Sequence, residues 1–241
     1  MVRGEEMVGM SRRLVAGLIV HNEADRYLGL VLDSLETYCD AICILDDGST
    51  DATPEICARR PRTRVVRNPR SIFWDNESAL RTQLWQLVLE AQPDWILAID
   101  ADEVLEASFA PNRDRYLEQD QRPLIGVQLY PLWGSATHYR VDKLWNPVGR
   151  YTPMFVRHHP GFPYRWRPRR LHCGRIPTNV PGPVWQSGLR ARHFGYANPA
   201  DHRRKHDLYL RHDPHGMFCA LSHYQSILDP PSQVRLLPWR D

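Results

Sequence analysis

Trp95-Ile96-Leu97-Ala98-Ile99-Asp100-Ala101-Asp102-Glu103 is the stretch on which the fold of this chain turns. Its first five residues are apolar without alternation, the pattern of a short strand buried on both faces, and they stop on a carboxylate. Towards the N-terminus the same event occurs twice more. Leu14–Val20 runs into His21-Asn22-Glu23, and Ala41–Leu45 runs into Asp46-Asp47-Gly48-Ser49-Thr50-Asp51. Between these runs the apolar period becomes helical. Leu28, Val31, Leu32 and Leu35 form one stripe, with Asn22 as the expected cap. Thr53 before Pro54 opens a second helix. Thr63–Val66 is a further strand, and Asp75 or Asn76 caps a longer helix with Leu80, Leu84, Leu87, Val88 and Ala91 on one face.

Strand and helix alternating in this way predict an α/β fold, a Rossmann-like and mostly parallel central sheet with helices on both faces. Right-handed crossovers bring the strand ends to one edge, where open α/β sheets bind ligands. Three polar strand ends on that edge exceed what turns require. After Asp102 the pattern loosens. Leu124–Leu132 and Met154–Arg157 read as strands, and Asn198-Pro199 opens a helix to about Arg211. Prolines and aromatics between them predict long loops over one face, and the tail after Asp229-Pro230-Pro231 reads as irregular. With no repeat and no low-complexity linker, residues 1–241 read as one domain, a ligand-binding half over 1–103 and a second half over 104–241.

The 241 residues are 42% apolar and 24% charged, as in a soluble globular protein. The net charge of +3 is unevenly spread, because Arg157, Arg165, Arg167, Arg169, Arg170, Arg175, Arg190 and Arg192 crowd the second half. That asymmetry points to an anionic ligand or an acidic surface, or to a solvated basic face. Cys39, Cys43, Cys57, Cys173 and Cys219 are odd in number and show no CxxC spacing, so they read as reduced thiols rather than zinc ligands. No apolar run reaches the roughly 18–20 residues of a membrane span. Arg12-Arg13 before Leu14–Val20 imitates a leader peptide, but the run is short, contains Gly17 and continues into polar residues, so a strand is expected. These features place the chain in the cytoplasm, with peripheral attachment at the inner face of the membrane left open through the basic half. Nucleic acid is not expected as a partner, since acidic strand ends repel phosphate unless a metal intervenes.

Asp100 and Asp102 stand two apart and point to one side of extended backbone. Two such carboxylates repel unless a cation sits beside them. Hard oxygen ligands suit Mg2+ or Mn2+, which complete their shell with substrate phosphates and stabilise a departing diphosphate. A solvated acidic loop is the plain alternative. The Asp46–Asp51 stretch is out of register for a calcium loop. It serves either as a turn or as a carboxylate that accepts from the imide of a nucleobase.

Together the motifs at 18–23, 46–51 and 95–103 resemble glycosyltransferase family 2, with its A-type, nucleotide-diphospho-sugar transferase fold. Arg192-His193-Phe194-Gly195-Tyr196, followed by Lys205 and Tyr209, is similar to a late segment of part of that family. The resemblance implies transfer from a nucleoside diphosphate sugar, generally with inversion, to a glycan, lipid-linked, peptide or small-molecule acceptor. It places Asp47 on the base, His21 and Glu23 along the nucleotide, and Arg81 on base or phosphate. Asp100 would lie near ribose and metal, Asp102 on the metal, and His193 as a third ligand. The chain departs from the family where a His-Glu pair often stands, because Arg170-Leu171-His172-Cys173-Gly174 carries a cysteine in the place of the glutamate. The general base is then His172 or lies elsewhere, with Asp142 as the alternative. Trp145, Tyr164, Trp166 and Trp185 are candidates for an acceptor groove or for the core. Two other readings remain: a nucleotidyltransferase, weakened by the lack of a glycine-rich loop after the first strand, and an inactive sugar-nucleotide binder.

Overall fold

The computed structural model describes residues 11–241. Strands β1 (Leu14–Val20), β2 (Ala41–Asp46), β3 (Thr63–Arg67) and β4 (Trp95–Ala98) lie parallel in the order β3-β2-β1-β4. Helix α1 (Leu28–Tyr38) and the short α2 (Thr53–Ala58) cover one face, and α3 (Phe73–Leu89) covers the other. The two-sided burial read from the apolar runs is realised residue by residue. In β1, Leu14, Ala16, Leu18 and Val20 pack with the α1 stripe, while Val15 packs with Leu80, Leu84 and Val88 of α3. Each buried Leu or Val among these contributes about 1.5–3 kcal/mol of transfer free energy. Gly17 lets α3 approach: a Cβ there would stand 2.8 Å from Val88 Cγ2.

Beyond β4 the sheet turns antiparallel. After β5 (Glu103–Leu105) and the short α4 (Arg113–Leu117) come β6 (Leu124–Trp133), β7 (His138–Arg140) and β8 (Thr152–Arg157). Strand β8 sits between β4 and β6, antiparallel to both, and β7 continues the sheet beyond β6. Strand β9 (Val184–Tyr196) runs parallel to β6 and antiparallel to β5. It was not legible beforehand. Gly188 takes φ +79° and the pairing with β6 shifts register, so the alternation of Leu189 and Ala191 with Arg190 and Arg192 is short and interrupted. Helix α5 (Pro199–His212) follows, capped by the Asn198 side chain on the Ala200 N–H, then α6 (Leu221–Gln225). The tail, read as irregular, supplies β10 (Leu236–Pro238), which pairs with β7.

Two caps differ from expectation. Asn22 does not cap α1, which begins six residues later. It takes φ +55° and joins two strand-end loops, its N–H donating to Ser49 Oγ at 3.0 Å and its Oδ1 accepting from the Thr50 N–H at 2.8 Å. Asn76 does cap, but from inside α3. Its extended backbone kinks the helix and its Oδ1 accepts from the Ala79 N–H at 3.1 Å. All five cysteines are free, four of them buried. Among the described residues no helix is long and apolar enough to cross a membrane.

Candidate active site

The C-terminal ends of β1, β2 and β4 open on one cavity of about 430 Å3, lined by His21, Glu23, Asp47, Arg81, Asp100, Asp102 and His172. His193 stands just behind, its Nε2 3.4 Å from Asp102 Oδ2. All eight site residues expected from sequence are therefore within one neighbourhood. Their local settings differ.

Asp47 is fully buried, and its carboxylate accepts from Ser71 Oγ (2.6 Å), the N–H groups of Ile72 and Phe73 (both 3.0 Å) and Asn68 Nδ2. It ties the loop before α3 to β2 and so fixes Ser71, Phe73 and Trp74 as cavity wall. His21 Nδ1 donates to the Asp47 carbonyl at 2.9 Å. Glu23 is mostly buried, and burial pushes its carboxyl up to about 7, with Asp102 adding to the rise and Arg26 opposing it.

The two strand-end carboxylates have separate sets of cations. Asp100 faces Arg81 (Nη1–Oδ1 3.5 Å) and Arg175 (Nη2–Oδ2 3.3 Å). Burial would raise its pKa, but the two guanidiniums hold it below the usual carboxylate range. Asp102 Oδ2 lies near His193 Nε2 and 3.5 Å from Lys205 Nζ, and these groups likewise outweigh burial and hold Asp102 ionised. The sheet delivers His193: β5 pairs Glu103 opposite His193, and the Phe194 N–H donates to the Asp102 carbonyl at 2.7 Å. Lys205 reaches in from α5, 4.6 Å above the Tyr196 ring. Gly195 leaves the room, since a Cβ would lie 2.3 Å from Lys205 Nζ and 2.7 Å from Asp102 Oδ2.

Residues beyond the expected set complete the site. Glu77 is buried, pairs with Arg81 at 3.3 Å and accepts from the Cys173 N–H, so a carboxylate from α3 stands beside the position where the family's glutamate is replaced. Arg175 binds Glu103 through two nitrogens, Nη2–Oε1 at 2.8 Å, besides reaching Asp100. This fork pins the loop that carries His172 to the Asp-x-Asp turn. The Glu77–Arg81 spacing of four on a helix was the one available signal; nothing local marks Arg175 among its neighbouring arginines.

His172 takes φ +56°, uncommon for a residue with a Cβ, and its exposed ring lines both this cavity and an adjoining one of about 560 Å3. The alternative base, Asp142, lies outside both cavities; Arg140 and the N–H groups of Leu144 and Trp145 occupy it. The aromatic groove is not formed either. Tyr164 and Trp166 pack edge-on against Trp85, Trp185 packs on Tyr116, and Trp145 joins Trp133 and Tyr196 while donating to Ser226 Oγ. Burial of their large apolar faces wins over exposure.

Among the described residues no three His, Cys, Asp or Glu side chains converge to hold an ion by themselves. Asp102 Oδ2 and His193 Nε2 nevertheless have the spacing of two neighbouring donors on one small divalent ion with bonds of about 2.0–2.1 Å. Mg2+ and Mn2+ need no more from a protein when phosphate oxygens complete the shell, so the donor set fits such an ion.

Comparison with known proteins gives three findings. The uncharacterised proteins Rv3786c of Mycobacterium tuberculosis and Mb3815c of Mycobacterium bovis are each 30% identical over 210 residues, covering 84% of this chain and 51% of theirs. The chain thus spans about half the length of these relatives. Among solved structures it is similar to Staphylococcus aureus TarS 1-349 in complex with UDP (TM-score 0.44, 13% identity, 60% of this chain and 46% of that one). It is also similar to the mannosyltransferase PcManGT of Pyrobaculum calidifontis with GDP-Man and Mn2+ (TM-score 0.41, 16% identity, 49% and 36%). A family model described as Glycosyl transferase family 2 matches residues 16–171, well over half of the chain. With the strand-edge motifs and this match in agreement, the chain belongs to glycosyl transferase family 2.

Proposed function

We propose that the chain moves a glycosyl group, with inversion, from a nucleoside diphosphate sugar to a hydroxyl-bearing acceptor, and that Mn2+ or Mg2+ assists. The observation that supports this most is the single cavity in which the ends of three parallel strands meet Arg81, Lys205 and His172. Of the half over 1–103, the described residues supply most of its donor side, and residues 104–241 supply the acceptor side together with His193 and Lys205.

In this reading His21, Glu23 and the wall fixed by Asp47 receive the nucleoside. Arg81, Arg204 and Lys205 line the cavity as cations for the diphosphate, and Asp100 holds Arg81 and Arg175 in place. Asp102 and His193 would hold the divalent ion, which when bound stabilises the charge on the departing diphosphate. His172, at the junction of the two cavities, takes the proton of the acceptor hydroxyl as its oxygen bonds to the anomeric carbon; the bond to the diphosphate breaks and its electron pair leaves with the nucleotide. His172 holds a left-handed conformation, which costs about 1–3 kcal/mol, with its ring at the junction of the two cavities, and this placement supports an active role.

The test is a thermal-shift panel of UDP, GDP and dTDP with Mn2+, with Mg2+ and with EDTA. At least one nucleotide should raise Tm, and only with the metal present. Equal stabilisation in EDTA removes the metal from the reading, and no stabilisation by any of them removes the donor.

A further inference from the structure

The eight arginines that crowd the second half of the sequence separate into two groups in the structure. Arg157, Arg175 and Arg190 are matched to Asp120, Glu103 and Glu106, and Arg192 lies over the rings of Phe194 and Trp239. Arg165, Arg167, Arg169 and Arg170 are all exposed, and among the described residues their guanidiniums pair with no carboxylate. They sit within six residues of one another.

Their backbone is not loose. The Arg165 N–H donates to Asn179 Oδ1 and its carbonyl accepts from the Thr178 N–H, both at 2.8 Å. Trp166 packs on Trp85 and donates to the Gly174 carbonyl at 3.0 Å, and the Arg170 carbonyl accepts from the Glu77 N–H at 2.9 Å. A fixed backbone therefore carries four like charges within six residues, a local excess of positive charge that attracts an anion. Of the four, Arg167 lines the cavity of about 560 Å3, whose wall also includes Arg175 and which meets the donor cavity at Arg81, Asp100 and His172.

Resting on the transferase reading above, we propose that the acceptor is a phosphate-bearing molecule, and that Arg167, with Arg165, Arg169 and Arg170, binds its phosphate while the hydroxyl to be glycosylated lies at His172. Guanidinium groups bind phosphate through paired hydrogen bonds, and a row of them selects such an acceptor over a neutral sugar of the same shape. The phosphate can belong to a soluble phosphorylated sugar or to a lipid-linked one; the chemistry read by the arginines is the same.

The experiment compares the full chain with the triple variant Arg165→Gln, Arg167→Gln, Arg169→Gln, all solvent-exposed substitutions. Inorganic tripolyphosphate is titrated calorimetrically into each, with the donor cavity filled by whichever nucleoside diphosphate the panel identifies. The parent should bind and the variant should lose on the order of tenfold or more, the effect of removing one charge-assisted hydrogen bond or several. Neutral maltotriose should separate the two proteins by less than twofold. Equal tripolyphosphate affinity in parent and variant overturns the proposal, as does a parent that does not bind it. Sedimentation with phosphatidylglycerol and with phosphatidylcholine vesicles identifies the source: selective loss of the anionic vesicles in the variant supports a lipid-linked phosphate, and absence of vesicle binding by the parent supports a soluble one. Failure of the donor reading is seen separately, as nucleoside diphosphates that leave the Tm of both proteins unchanged.

Discussion

At the scale of single residues, Asp100 and Asp102 face different cations, Arg81 and Arg175 for the first and His193 and Lys205 for the second. Asp102→Asn keeps the shape and removes the charge that faces His193 and Lys205. Transfer should fall by ~100-fold or more, in line with loss of a preorganised electrostatic contact at the departing group, while circular dichroism stays unchanged. Retained activity would take Asp102 out of the mechanism. Lys205 and a divalent ion share Asp102 Oδ2 as a partner, so Lys205→Met should tighten Mn2+ binding measured by electron paramagnetic resonance without nucleotide, by roughly tenfold for the ~1.4 kcal/mol of repulsion removed. Weaker or unchanged Mn2+ affinity counts against the competition. Glu23 gives a pH signature. Its folded pKa, about 7, lies above its unfolded value of about 4.5, so its contribution is stabilising in full below 4.5 and is lost as pH rises through 7. Glu23→Gln should therefore gain Tm over the parent increasingly from pH 5 to pH 8; a constant Tm difference across that range would refute the burial argument.

At the scale of elements, legibility in the sequence depended on how local the cause was. Strands β1 to β4 and their helices are specified by runs and stripes a few residues long; the strand boundaries agree to within a residue, whereas α1 starts six residues after Asn22 and α3 starts ahead of Asp75. The polar strand ends that form the cavity were legible for the same reason. Strand β9 was hidden because its partners, β5 and β6, lie far away in sequence and its own alternation is broken at Gly188. Arg175 was hidden more deeply: it looks identical to four neighbouring arginines until Glu103 selects it. That selection predicts a stability effect. Arg175→Met leaves Glu103 buried without its partner and should cost about 3–5 kcal/mol, read from urea denaturation. A loss below about 1 kcal/mol would show that the fork is dispensable for the fold.

At the scale of the whole molecule, two cavities share one wall, and that wall is built from both halves of the chain. The family match ends at residue 171, yet Arg175, His193 and Lys205 all lie beyond it. The residues that line the two cavities are thus separate in sequence and continuous in space, which is why motifs marked the strand edge while the arginine frame needed the fold. Lys205 follows Asp102 by about a hundred positions, and this spacing matters during synthesis, when N-terminal segments fold first. A ribosome releases the acidic rim well before the ammonium that answers it. The emerging chain therefore carries Asp102 without its ammonium partner after the four parallel strands are out, and helix α5 closes the circuit only when residues about a hundred positions later have followed.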